Sequence, residues 1–171
     1  KGTPIIVAGC GRSGTTLLLS ILAAHPKIHG INIETGIFSS PKLSKRSRFW
    51  TLYNLSAELY LDRKHTAQRW MEKTPRNINN LKGIFDFFNN NVKVIHIVRD
   101  GRNVVTSKHP TQKNEYWVSI NRWINDVSNG LEFNDYENLL LIKYEDLVEN
   151  FNETCQKILS FLDEENSDEV S

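Results

Sequence analysis

Residues 4–24 read PIIVAGCGRSGTTLLLSILAA. Pro4 to Gly9 is a short apolar run rich in β-branched residues, the pattern of a strand buried on both faces. A glycine-rich turn follows from Gly9 to Gly14. Thr15 to Ala24 then predicts a helix, which ends near His25-Pro26 because proline cannot continue it. Strand, glycine loop and helix, in that order, present a helix N-terminus to an anion.

Outward from this unit, the same alternation recurs. Ile78, Leu81, Ile84, Phe85 and Phe88 stand at helical spacing, predicting an amphipathic helix over Ile78–Asn89. Val92 to Val98 (VKVIHIV) reads as a second strand, followed by a turn and a helix over Asn103–Lys108. Trp117, Ile120, Trp123, Ile124, Val127 and Leu131 mark a helix over Glu115–Phe133, with Trp117 and Trp123 expected to anchor it on the sheet. Leu139 to Ile142 is a third strand, and Phe151 to Leu162 a closing helix. Strands alternating with helices predict an α/β fold: three layers, α/β/α, around a central parallel sheet. Residues 1–162 are expected to form one domain, with 163–171 as an acidic, frayed tail.

Composition narrows the function classes. The chain has 171 residues and a net charge of +1, which argues against a protein that coats nucleic acid. Two cysteines, Cys10 and Cys155, make neither a disulfide framework nor a zinc site. No His, Cys and carboxylate cluster has metal-ligand spacing, so a metal-free mechanism is expected. No apolar run approaches the ~20 residues that cross a membrane. The opening residues read as core strand and not as a secretory leader, so a cytoplasmic setting is expected, with a trimmed Golgi-type or secretory chain as the alternative. Asn54 and Asn152 begin N-x-[ST] triplets, which also arise by chance.

The loop Gly9-Cys10-Gly11-Arg12-Ser13-Gly14-Thr15-Thr16 nearly matches G-x-x-x-x-G-K-[ST]. Its glycines let successive backbone N–H groups converge on one anion, and Thr15 and Thr16 add hydroxyl donors. Thr15 stands where an ATPase or GTPase has its phosphate-binding lysine. Arg12 is the loop's one cation. A single phosphate-like group without magnesium suits this loop better than a triphosphate.

Downstream, Val94 to Ser107 (VIHIVRDGRNVVTS) runs from strand to turn to helix. An arginine fork at the strand's carboxyl end and a hydroxyl on the next helix can grip one phosphate, at the edge where open α/β sheets bind ligands. The competing reading makes Asp100 a Mg²⁺ ligand in a P-loop kinase or NTPase, and the first loop lacks the lysine that reading requires.

Three segments together resemble the sulfotransferases that use 3′-phosphoadenosine 5′-phosphosulfate (PAPS). Arg12-Ser13-Gly14-Thr15-Thr16 is similar to the family's 5′-phosphosulfate segment, a cation followed by S-G-T-T. Arg99 and Ser107, eight residues apart, resemble its 3′-phosphate segment. Tyr144-Glu145-Asp146-Leu147 resembles a family Y-E-D-L whose tyrosine lies near the adenine. The resemblance implies a P-loop-like sulfotransferase fold that binds PAPS and releases PAP. It places cofactor contacts at Gly11, Arg12, Ser13, Gly14, Thr15, Thr16, Arg99, Ser107 and Tyr144. A non-catalytic module that binds PAP or PAPS is the rival outside enzymology.

The resemblance also suggests catalytic roles. Glu72-Lys73-Thr74-Pro75-Arg76-Asn77 resembles the family's K-T-H or K-D-P element, which makes Lys73 the cation at the transferring group, beside Arg12. Cytosolic members have a histidine base two residues after that lysine, and here Pro75 stands there. The chain resembles instead the tyrosylprotein and several bacterial or glycan sulfotransferases, with a glutamate shortly beyond the first helix. Glu34, 22 residues after Arg12, fits that placement, and its apolar neighbours would favour proton uptake. His29 is the next candidate for the base. His96 reads as core and His25 as a turn residue.

The acceptor is expected to carry a hydroxyl or amine. Six Lys/Arg against two Asp/Glu between Lys42 and Lys64 hint that it is acidic, although a solvated basic face is the commoner cause. Trp50 and Trp70 flank that stretch as either pocket or core residues. The family's C-terminal segment that covers the nucleotide has no counterpart after Leu162, as in a minimal enzyme or a fragment.

Overall fold

The structure, a computed structural model, describes residues 2–39, 44, 46, 47, 49, 66–109, 111, 112 and 114–165. Five strands form one sheet: β1 (Ile5–Gly9), β2 (Ile28–Gly30), β3 (Arg69–Lys73), β4 (Lys93–Val98) and β5 (Leu139–Lys143). Their spatial order is β2-β3-β1-β4-β5 and every neighbouring pair is parallel. The expected α/β architecture with a central parallel sheet is the one observed.

Period-2 alternation along the strands makes the three layers. Ile5 and Val7 of β1, with Ile95 and Ile97 of β4, meet α1 (Thr15–Ala24) and the C-terminal helix on one face. Ile6, Ala8 and Val94 point the other way, onto the 3-10 turn Pro75–Asn80 and helix α2 (Leu81–Phe88). Both faces are covered, so β1 reads as an unbroken apolar run and β4 as one interrupted only by His96 after its opening Lys93.

Several elements differ from expectation. The predicted helix over Ile78–Asn89 begins as that 3-10 turn, with Pro75 at its start. The helix after β4 is α3 (Gly101–Val105), earlier and shorter than Asn103–Lys108. Asp100 caps it by accepting from Arg102 N, which fixes the start. The long helix shortens to α4 (Ile120–Leu131), where the Ser119 side chain accepts from Arg122 N. Trp117 precedes α4 and is not one of its anchors. Ile120, Ile124 and Leu131 are exposed, and the face turned inward carries Asp126 and Gly130. Glycine is required there because a Cβ at Gly130 would lie 2.1 Å from His96 Cε1.

The sequence pattern predicts neither β2 nor β3, nor α5 (Tyr144–Glu149), which α6 (Phe151–Phe161) follows after Asn150. β3 reads RWMEK, and its Arg69, Glu72 and Lys73 are all buried. Each has partners that offset burial. Arg69 donates to Thr3 O at 2.6 Å and to the backbone carbonyl of Leu162. Its guanidinium also lies 3.3 Å from Glu164. The expected frayed tail therefore does not hold for residues 163–165. Glu164 also meets Lys27 at 3.5 Å, and the carbonyl of Glu165 lies 3.1 Å from His25 Nε2.

His96 is wholly buried, and neither ring nitrogen has a partner among the described residues. Burial pushes its pKa down to about 4. Trp70 packs in the apolar cluster, its ring 6.2 Å from Phe88, whereas Trp50 lies outside the described residues.

Candidate active site

The loop between β1 and α1 opens at the carboxyl edge of the sheet. Gly14 caps α1 in a left-handed conformation (φ 93°) and contributes no side-chain hydrogen bond. A Cβ there would come within 2.4 Å of the Tyr144 ring, so backbone angle and space both demand glycine. The first-turn N–H groups of α1 have neither a capping side chain nor an acidic neighbour, and they stay available to an anion. Arg12 also has positive φ, 70°, a conformation that costs a non-glycine residue on the order of 1 kcal/mol or more. Ser13 is fully buried and its Oγ has no partner among the described residues.

A cavity of about 320 Å³ lies over this loop. Arg12, Thr15 and Thr16 line it from the loop side, and Glu34, Thr74 and Arg76 from the segments after β2 and β3. Lys73, at the end of β3, donates from Nζ to Glu34 Oε1 at 2.6 Å. The Lys73 side chain is 9% exposed and that of Glu34 54%. The structure thus brings Glu34, Lys73 and Arg12 to one end of the sheet. The apolar surroundings expected around Glu34 are absent: its partner is a cation and half of it faces solvent.

Beneath this pair lies Glu72, which no motif singled out. Its Oε1 accepts from Thr35 Oγ1 at 2.8 Å, from Thr35 N at 3.3 Å and from Thr74 Oγ1, and its Oε2 accepts from Asn77 Nδ2 at 2.6 Å. Burial pushes its pKa up, and the hydrogen bonds from Thr74, Thr35 and Asn77 oppose the shift. Gly36 N donates to Thr74 Oγ1 at 3.2 Å, so one buried carboxylate ties the Glu34 segment to the Lys73 strand. The sequence signal was its place directly before Lys73 in the segment Glu72–Asn77.

The Arg99 segment is joined to the glycine-rich loop. Arg99 Nη1 donates to Arg12 O at 3.2 Å, and the guanidinium lies 4.2 Å over the Tyr144 ring. Arg99 Nε is buried with no partner among the described residues. Tyr144 is thereby held between Gly14 and Arg99. Ser107 lies just past α3, its hydroxyl donating to Asn103 O at 2.8 Å.

Asp100 is engaged by Arg102, whose Nε lies 3.1 Å from both carboxylate oxygens. That hydrogen bond is the main cause holding its pKa down to about 2. Among the described residues no group of three or more His, Cys, Asp or Glu could hold a metal ion. Burial, reinforced by Asp126, pushes the Cys10 thiol up to about 12. Trp117 and Arg122 complete the cavity wall. His29 lies in β2 with Nε2 buried and unpartnered among the described residues. The basic stretch from Lys42 to Lys64 lies almost wholly outside the described residues.

The architecture is a parallel α/β sheet with a glycine-rich, P-loop-like turn after its first strand and an arginine at the end of the neighbouring strand β4. A family model described as "Sulfotransferase domain" matches residues 2–171, and the chain belongs to that family. Solved structures agree on the fold. A sulfotransferase from Alicyclobacillus acidocaldarius superposes with a TM-score of 0.68 at 14% identity, over 96% of this chain and 82% of that one. The sulfotransferase domain of the Synechococcus PCC 7002 olefin synthase gives 0.65 at 18% identity, over 99% and 77%. Mouse sulfotransferase SULT7A1, complexed with PAP, gives 0.66 at 22% identity, over 99% and 61%. No curated protein sequence matches.

Proposed function

We propose that the protein transfers a sulfuryl group from PAPS to an acceptor hydroxyl by in-line displacement, with Glu34 as base and Lys73 as the cation at the leaving oxygen. The observation that carries this reading is the Lys73–Glu34 pair at a cavity whose other wall is the Arg12, Thr15 and Thr16 loop.

The residues fit a nucleotide with anions at both ends. Ser13 Oγ and Arg99 Nε are buried donors without partners among the described residues, one in each anion segment. Such groups cost free energy unless something satisfies them. In this reading Arg12, Ser13, Gly14, Thr15 and Thr16 hold the 5′-phosphosulfate, with the Gly11 backbone completing the turn. Arg99 and Ser107 hold the 3′-phosphate, and Tyr144 borders the adenine.

The donor supplies the sulfuryl group and departs as PAP. Lys73 turns from Glu34 to the bridging oxygen, where negative charge grows as the S–O bond breaks. Glu34, released, accepts the proton of the acceptor hydroxyl as its oxygen bonds to sulfur. Glu34 and Lys73 therefore begin as each other's partners and separate when substrates replace those contacts.

Label transfer from radioactive PAPS across a panel of acceptors, alongside calorimetric titration with PAP and with ATP–Mg²⁺, tests this. PAP binding with label transfer is expected. Magnesium-dependent ATP binding without PAP binding would replace it with the kinase or NTPase reading, and PAP binding without transfer with a binding module.

A further inference from the structure

Trp117 and Arg122 line the same cavity, and no motif accounts for them. A Cβ built on Gly11 would lie 3.1 Å from Trp117 Nε1 and 3.3 Å from Arg122 Nη2. Two hydrogen-bond donors from outside the loop thus meet directly over its backbone. Gly11 is where a side chain would fill the space between them.

Both donors are held from behind. Arg122 Nε lies 3.5 Å from Asp126 Oδ2 one helical turn on, and that aspartate's side chain is nearly buried. Asn79 Nδ2 donates to Asp126 Oδ1 at 3.1 Å. Asp126 takes the Nε side of the guanidinium and leaves Nη2 beside Gly11. Trp117 N donates to Ser107 O at 3.1 Å, and its ring lies 4.4 Å from His109. Neither the indole N–H nor the Arg122 terminal nitrogens donate to a described residue. A guanidinium ion-paired through its Nε side keeps its terminal N–H groups for paired oxygens of a sulfate, phosphate or carboxylate.

We infer that Arg122 and Trp117 form an oxyanion clamp over Gly11, for the oxygens of the transferring sulfuryl group or for an anionic group carried by the acceptor. This rests on the cavity being the transfer site. Asp126 is then a positioning residue, acting through Arg122.

The test begins with inorganic sulfate titrated into the PAP-saturated protein, followed through the Trp117 indole N–H resonance. Wild type is expected to shift saturably, and Arg122→Ala to need at least ~10-fold more sulfate, the loss typical of a charge-assisted contact. Arg122→Lys, which keeps the charge without the fork, should fall between, and thermal melts verify that each variant is folded. Calorimetry then separates the two sources. A drop in PAPS affinity with PAP affinity retained assigns the clamp to the sulfuryl group. An unchanged PAPS-to-PAP ratio, with sulfate binding lost, assigns it to the acceptor. Equal sulfate response in wild type and a folded Arg122→Ala overturns the clamp. Should wild type not bind PAP, the donor reading fails by itself, and the same sulfate titration on the free protein still decides the clamp.

Discussion

Lys73 Nζ and Glu34 Oε1 lie 2.6 Å apart and join the end of a buried strand to the half-exposed segment after β2. The pair bridges the protein interior and the cavity mouth. If Glu34 is the base, Glu34→Gln is expected to keep PAP affinity within about twofold and lower turnover ~10²–10⁴-fold, the usual worth of a positioned base. Calorimetry and label transfer measure the two separately. Unchanged turnover would return the role to a histidine, His29 first.

Arg12→Ala and Arg99→Ala should each weaken PAP binding about 10–100-fold, since a hydrogen bond to a charged group contributes ~1.5–3 kcal/mol. Arg99 Nη1 donates to the backbone carbonyl of Arg12, so losing Arg99 also frees the turn that carries the Arg12 side chain. The double variant is therefore expected to lose less than the sum, measurable as a coupling energy in a calorimetric double-mutant cycle.

Glu72 accepts from Thr35, Thr74 and Asn77 at once. Replacing it with glutamine turns an NH₂ group toward at least one of those donors. Urea denaturation of Glu72→Gln should show a loss of about 1–3 kcal/mol, the cost of buried polar groups left unpaired. Turnover should fall as well, because the Glu34 and Lys73 segments lose their common tie. Wild-type stability in the variant would show that Glu72 holds nothing in place.

His96 makes stability depend on pH. Its pKa falls from 6.5 in the unfolded chain to about 4 when folded, because burial disfavours the imidazolium. Between those values the unfolded state binds the extra proton, so stability is intact above 6.5 and is lost as pH falls toward 4. The full loss is on the order of 3 kcal/mol. His96→Leu, which removes two unpartnered ring nitrogens, should flatten that part of a denaturation series run across pH.

Legibility followed burial and locality. β1, α1 and β4 were readable because each is a continuous local pattern, and α1 spans the predicted Thr15–Ala24. β3 was unreadable because its Arg69, Glu72 and Lys73 look like surface residues until their partners appear. Those partners lie far along the chain: Thr3 and Leu162 for Arg69, Thr35 for Glu72, Glu34 for Lys73. β2 has only three residues, too few for periodicity to register. Spacing alone puts Trp117 in a helix, but its backbone N–H donates to Ser107 O and the chain turns its ring over Gly11.

From the order of residues came the glycine-rich loop, the parallel sheet and the Arg99 segment, since backbone turns and apolar runs depend on near neighbours in the chain. Folding alone revealed that Lys73 meets Glu34, that Glu72 underlies both, and that Arg122 reaches Gly11. Lys73 and Glu34 are opposite charges 39 positions apart, Glu72 reaches across to Thr35, and Arg122 comes from a distant helix, so the strength of each contact depends on distances and burial that exist only once the sheet has assembled.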